Sequence, residues 1–279
     1  MKLKLIFLQI FVFCAYACAD VLCVGATIPP QQEPIIAVMG TNVNVKILMD
    51  GNQSPHFFRP SAKRLAEFVE CDIYFTIGFP GEENVEKKFA SIGNTKIVPM
   101  LDNISHHSHH NNHHNKNLCG EDIDTHYWTS PLKLKEMAKI VFNEACKLQP
   151  ESAKYFEQNL NSYEKRCDLT MKEGRKALEA AGVTHILTYH PALGNYAATM
   201  GLTQLSIEKD GRAPTLGVVA RVVAEARKHN IKKLFVQNTG EAEQSKVVLE
   251  RLDATAITIP LLSSAPLKLI EEINAELVK

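Results

Sequence analysis

The chain lacks a basic surplus. It carries 31 Lys and Arg against 31 Asp and Glu over 279 residues. No positive field therefore argues for a nucleic-acid partner. It also lacks an apolar run of the roughly 20 residues that a membrane span needs. The candidate, Leu5 to Ala17, is shorter and is broken by Gln9. The cysteines form no CxxC pair and no zinc-ribbon spacing. Neither an HExxH nor an HxxEH segment occurs, so the helical zinc-protease arrangements are missing. Between Glu151 and Ala181 there is no proline and one glycine, and between Ser105 and Lys116 there is no apolar residue.

What is present in that last stretch is histidine. Six of the chain's 11 histidines fall between Ser105 and Asn115: His106, His107, His109, His110, His113 and His114. Neutral imidazole is the commonest side-chain ligand for zinc and its neighbours. A tract with no apolar residue cannot pack as core and reads as a loop, spanning 105–117, that offers weak metal sites. The other reading is a solvated polar insert with accidental histidine bias.

The N-terminus begins with Lys2 and Lys4, then the short apolar stretch, then Ala17 and Ala19 in an A-x-A pattern. Residues 1–19 thus read as an export signal, with an uncleaved membrane anchor as the alternative. The cysteines near the cleavage point make a poor lipoprotein box, so lipidation is weakly supported. Without residues 1–19, which hold two lysines and no acid, 29 basic side chains face 31 acidic ones, a formal charge of −2. Five cysteines remain: Cys23, Cys71, Cys119, Cys146 and Cys167. In an exported chain they allow one or two disulfides with one thiol left over, and their spacing leaves the pairing open.

Strand-like runs alternate with helical patterns along the whole chain. Strands are expected at Val21–Thr27, Val43–Met49, Asp72–Ile77, Lys96–Leu101, His185–Tyr189, Gln204–Ile207, Lys233–Val236 and Ala256–Ile259. Helices are expected after Pro34, after Ser61, from Pro131, at Leu216–His229, at Glu241–Arg251 and at Pro266–Leu277. The proline-free stretch from Glu151 reads as one long helix closed by Gly182, or as two helices bent near Gly174. The fold class is therefore α/β: two parallel-sheet lobes joined by one long rigid helix, with a metal site in the cleft between them. The expected boundaries are 20–148 for the first lobe, 149–182 for the linking helix and 183–279 for the second lobe.

Three isolated histidines stand at junctions that face such a cleft. His56 follows a strand and precedes a helix; His126 precedes Ser130-Pro131; His190 ends a strand. Three imidazoles suit a tetrahedral Zn²⁺. Each singly could equally be a hydrogen-bonded histidine at a helix start.

These segments resemble the zinc/manganese periplasmic solute-binding proteins of ABC importers. The resemblance rests on Pro55 to Ser61, Asp124 to Pro131, Tyr189 to Ala197 with Gly201-Leu202, and Glu208 to Thr215. It spans nearly the whole chain after residue 19, and a histidine-rich loop between the first two ligands is similar to the zinc-importing branch. It implies a periplasmic or otherwise extracytoplasmic receptor, monomeric, that carries Zn²⁺ as cargo on His56, His126 and His190 and delivers it to an ABC permease. It implies no enzyme activity. Many relatives carry a late carboxylate as a fourth ligand, but here Thr258-Ile259-Pro260-Leu261 holds no acid. Water, a tract histidine, Glu241 or Glu243 could stand in that position. Manganese or iron as cargo is the alternative, although losing a carboxylate disfavours manganese. A zinc hydrolase would need a general base near the metal-bound water, and near the three histidines the acid in sequence is Asp124. Nothing in the sequence marks a separate adhesive surface.

Overall fold

The computed structural model describes residues 21–41, 43–49, 59–79, 82–92, 95–100, 124–208 and 214–279. His56, the tract histidines and Cys119 lie outside the described residues, as do residues 1–19.

Two four-stranded parallel sheets form the two lobes. The first holds β1 (Leu22–Ala26), β2 (Val43–Ile47), β3 (Ile73–Thr76) and β4 (Lys96–Pro99) in the order β2-β1-β3-β4. The second holds β5 (His185–Thr188), β6 (Thr203–Ser206), β7 (Lys233–Val236) and β8 (Thr255–Thr258) in the order β6-β5-β7-β8. The orders are the same, so each lobe has a switch point beside its first strand, between β1 and β3 and between β5 and β7. The central strands are buried on both faces, and β3 is buried throughout. That is why these segments read as short continuous apolar runs.

Helices cover the sheets. In the first lobe these are α1 (Gln32–Met39), α2 (Ala62–Ala66), α3 (Glu82–Ile92) and α4 (Pro131–Leu148). Ser61 caps α2 by accepting the Arg64 amide, and Ser130 caps α4 by accepting the Lys133 amide. The second lobe has α6 (Gly194–Met200), α7 (Leu216–Lys228), α8 (Thr239–Gln244), α9 (Lys246–Leu252) and α10 (Pro266–Val278). One helix expected at Glu241–Arg251 is in fact two, α8 and α9. The buried Ser245 hydroxyl donates to the Glu241 carbonyl at 2.7 Å, and this back-bond accompanies the break. Helices α3 and α6 were not expected from the sequence.

Between the lobes runs α5 (Ala153–Ala180), 28 residues without a break, about 42 Å at 1.5 Å per residue. Its buried side is Phe156, Leu160, Tyr163, Cys167, Thr170, Gly174 and Leu178. These positions recur every three or four residues and form one stripe. Gly174 does not bend the helix; a Cβ there would collide with the Asn274 side chain of α10. Near one end Asn159 donates to the Val38 carbonyl in the first lobe; further along, Thr170 donates to Glu271 and Arg175 to the Thr199 carbonyl in the second.

The lobes share a core. One buried cluster runs from Val24 and Ile73 through Trp128 and Phe156 to Ile186, Phe235 and Ile270. Direct ties cross the seam. The Trp128 indole donates to the Leu261 carbonyl at 2.8 Å, the Leu267 amide donates to Glu33 at 3.1 Å, and the Ser130 and Thr199 hydroxyls meet at 2.6 Å. A disulfide joins Cys23, at the entry to β1, with Cys71, just before β3. The β1–β3 pairing brings the two cysteines together, with Asp72 bonded to Cys23 through both backbone and side chain. Among the described residues, Cys146 and Cys167 are free thiols. No helix among the described residues is long and apolar enough to cross a membrane.

Candidate metal centre

His126 and His190 come from different lobes and meet in the cleft. Their ring centres are 5.3 Å apart at an interplanar angle of 76°. Two imidazoles bound to one tetrahedral ion at Zn–N distances of about 2.0–2.1 Å have ring centres about 5 Å apart. His126 leads into a 3₁₀ turn, Tyr127–Thr129, that runs directly into the capped α4. The turn buries Trp128 completely, and the indole lies 5.3 Å from the His126 ring. His190 follows β5, at the carboxyl end of the second sheet.

Each ring is held by a carboxylate on Nδ1. Asp124 Oδ1 is 2.7 Å from His126 Nδ1 and also accepts the His126 amide at 3.0 Å. The Asn195 amide donates to Asp124 Oδ2 at 3.1 Å, and the Asn195 side-chain amide donates to the Asp124 carbonyl at 3.1 Å. Gly194 permits this approach, since a Cβ there would lie 2.6 Å from Asp124 Oδ2. Burial by itself would raise the Asp124 carboxyl, but the bonds from the His126 ring, the His126 amide and Asn195 outweigh it and hold the group below the usual carboxylate range. In the second lobe the two Glu208 oxygens lie 3.1 and 3.2 Å from His190 Nδ1. A carboxylate on Nδ1 fixes a histidine with its proton there and its lone pair on Nε2, as at many zinc sites.

Asp124 and Glu208 are the orienting groups that the sequence did not disclose in that role. Asp124 had a local signal, a short acid two residues before His126, the spacing of an Asx turn. Glu208 needed the sheet register. His185 pairs with Thr203 and Thr188 with Ser206, so the same offset carried two residues further sets His190 beside Glu208. Among the described residues, no three His, Cys, Asp or Glu side chains are already arranged to hold a metal. Of the three expected ligands the described structure brings two together, and His56 lies outside it.

A two-lobed α/β protein with histidines from both lobes facing one cleft is a metal-binding solute receptor in architecture. The chain belongs to the family described as zinc-uptake complex component A, periplasmic (ZnuA), whose profile matches residues 24–269. It is 23% identical over 245 residues to the high-affinity zinc uptake system protein ZnuA of Bacillus subtilis, covering 84% of this chain and 76% of that one. Among solved structures it is similar to ZnuA, with a TM-score of 0.81 at 21% identity, covering 93% of this chain and 98% of the other. It is also similar to the periplasmic zinc-binding protein TroA of Treponema pallidum, with a TM-score of 0.77 at 15% identity and coverage of 92% and 98%.

Proposed function

We propose that the protein captures Zn²⁺ outside the cytoplasm through His56, His126 and His190 and delivers it to an ABC permease in the cytoplasmic membrane. The observation that carries this reading is the meeting of His126 and His190 across the cleft, each with a carboxylate on Nδ1. Membership of a family of transport receptors supports a carrier and not an enzyme. An all-nitrogen set of histidines favours zinc over manganese, which prefers oxygen ligands. In this reading residues 1–19 are the export signal, 20–148 and 183–279 are the lobes and 149–182 is the link. The tract histidines at 106–114 gather additional metal weakly, because each arrangement of flexible ligands costs loop-ordering entropy.

The test is metal content followed by titration. Protein isolated from its native compartment should contain zinc. Calorimetry should show strongly weakened binding in His56→Ala, His126→Ala and His190→Ala. Unchanged affinity in all three variants would refute the site. Retention of manganese in dialysis against equal Zn²⁺ and Mn²⁺ would refute the choice of metal.

A further inference from the structure

We propose that Glu82 and Phe79 position the metal centre from the first lobe, by holding the Trp128 indole beside which the His126 ring sits. This inference rests on the reading of His126 as a ligand and deepens it. The first sheet has its switch point between β1 and β3, where an open α/β sheet forms a crevice outside the strand ends. Here the chain's own carboxylate reaches into that place. Glu82, the first residue of α3, is buried and turns its side chain back toward the ends of both strands. It accepts the Ile77 amide at 3.1 Å, the Phe79 amide at 2.8 Å and the Gly78 amide between them, all just after β3. Gly78 has φ +91°, and this left-handed step aims successive amides at one anion. From the end of β1 the Thr27 hydroxyl donates to the same carboxylate, and the Tyr74 hydroxyl lies 3.0 Å from Thr27 Oγ1 as the donor behind it. Burial raises the Glu82 carboxyl above its ordinary range, and the Thr27 hydroxyl and the three amides draw it back.

What this cradle holds in place is Phe79. Its buried ring meets the Trp128 indole edge-on, with ring centres 6.0 Å apart at an interplanar angle of 77°. Trp128 is fully buried and is fixed from the second lobe by the Leu261 carbonyl. Its ring centre lies 5.3 Å from that of His126, tilted by 58°. The two supports of His126 therefore differ in kind. Asp124 fixes which ring nitrogen carries the proton, and the indole limits where the ring can swing. A ligand stays in its productive geometry when packing locks its rotamer. Direct contacts thus run from Glu82 through Phe79 and Trp128 to His126, joining the crevice of the first sheet to the cleft.

Three variants separate positioning from plain stability. Phe79→Leu keeps the backbone bonds to Glu82 and removes the aromatic edge from Trp128. Glu82→Ala removes the cradle itself and leaves buried amides unmet. Val248→Ala opens a cavity in the outer core of the second lobe, away from this run of contacts, and is the control for lost stability.

The experiment measures Zn²⁺ affinity of the full chain by competition with a chromophoric chelator, and the emission of Trp128, the single tryptophan, in the apo protein. Phe79→Leu and Glu82→Ala should each weaken zinc by about three- to thirtyfold, the reach of substitutions that touch neither ligand nor ion. Each should shift the apo emission, and the double variant should lose little more than the larger single loss. Val248→Ala should melt earlier while keeping the zinc affinity and emission of the wild type. A zinc affinity less than threefold below the wild type in Phe79→Leu overturns the inference, whether or not Glu82→Ala folds. So does an unshifted emission, or an equal loss of zinc affinity in Val248→Ala, because stability alone would then explain the effect. His126→Ala keeps the two failures apart. If it leaves zinc binding intact, the ligand reading fails and this inference with it; if it weakens zinc and Phe79→Leu does not, only this inference fails.

Discussion

Asp124→Asn should damage the metal site and the fold together, in amounts that can be read separately. The carboxylate accepts the His126 ring, the His126 amide and the Asn195 amide on its two oxygens. Asparagine offers one oxygen and one amino group. In either orientation the amino group faces a buried donor, and at least one of the three bonds becomes a donor–donor contact. Leaving a buried donor unmet costs about 1–3 kcal/mol. At about 2–4 °C per kcal/mol for a chain of this size, apo melting should fall by several degrees. The His126 ring also loses the anion that fixes its tautomer. Loss of such a partner lowers metal affinity by about 10–100-fold, or about 1.4–2.7 kcal/mol. Scanning calorimetry of the apo protein and chelator competition for Zn²⁺ measure the two effects. A zinc affinity within threefold of the wild type would refute the assignment of Asp124 as the group that orients a ligand.

Gly194→Ala should also weaken zinc, because the new methyl group meets the Asp124 carboxylate, and its effect should add little to that of Asp124→Asn; full additivity in a double mutant would count against a shared mechanism. Gly174→Ala should destabilise by about 1–3 kcal/mol through overpacking against Asn274, where an unhindered helical site would gain from alanine; urea denaturation gives the sign. His185 stacks on His229 with ring centres 3.5 Å apart, and burial together with His229 lowers its pKa from 6.5 against the pull of Glu225. The unfolded chain therefore takes this proton first, so stability should fall as pH drops through about 6.5 and level off below the folded pKa. His185→Asn should reduce the loss in urea midpoint between pH 7.5 and pH 5. Deleting residues 106–114 should leave one tight zinc site and remove weaker ones; loss of the tight site in calorimetry would make a tract histidine the fourth ligand.

The eight described strands were legible with ends within one or two residues, the central ones β1, β3, β5 and β7 as short buried apolar runs and the edge strand β2 by its alternation. Helix α3 was not, since Val85 and Phe89 are its described buried hydrophobic anchors in a charged segment. Helix α6 has seven residues and begins with Gly194, so no periodicity could reveal it. The break at Ser245 goes with a local back-bond from its buried hydroxyl to the Glu241 carbonyl, which hydrophobic periodicity does not encode. Gly174 read as a possible bend because its reason for being glycine, the Asn274 side chain, is 100 residues away. At the site, the junction positions of His126 and His190 were visible locally, and their meeting followed from the two-lobe fold. Their carboxylate partners divide differently: Asp124 is two residues from its histidine, whereas Glu208 is found through strand register. The disulfide likewise depended on β1 lying beside β3 and not on cysteine spacing.

The Cys23–Cys71 bond closes a loop with a sequence separation of 48, and that loop contains β2, α2 and position 56. In the chain-entropy account, closing a loop of that length is worth about 4 kcal/mol against the unfolded state. Such bonds form where thiols oxidise and not in a reducing cytosol. The bond thus separates two forms of this chain, a weaker dithiol form and a stronger disulfide form, and the redox state of the surroundings decides which one is present.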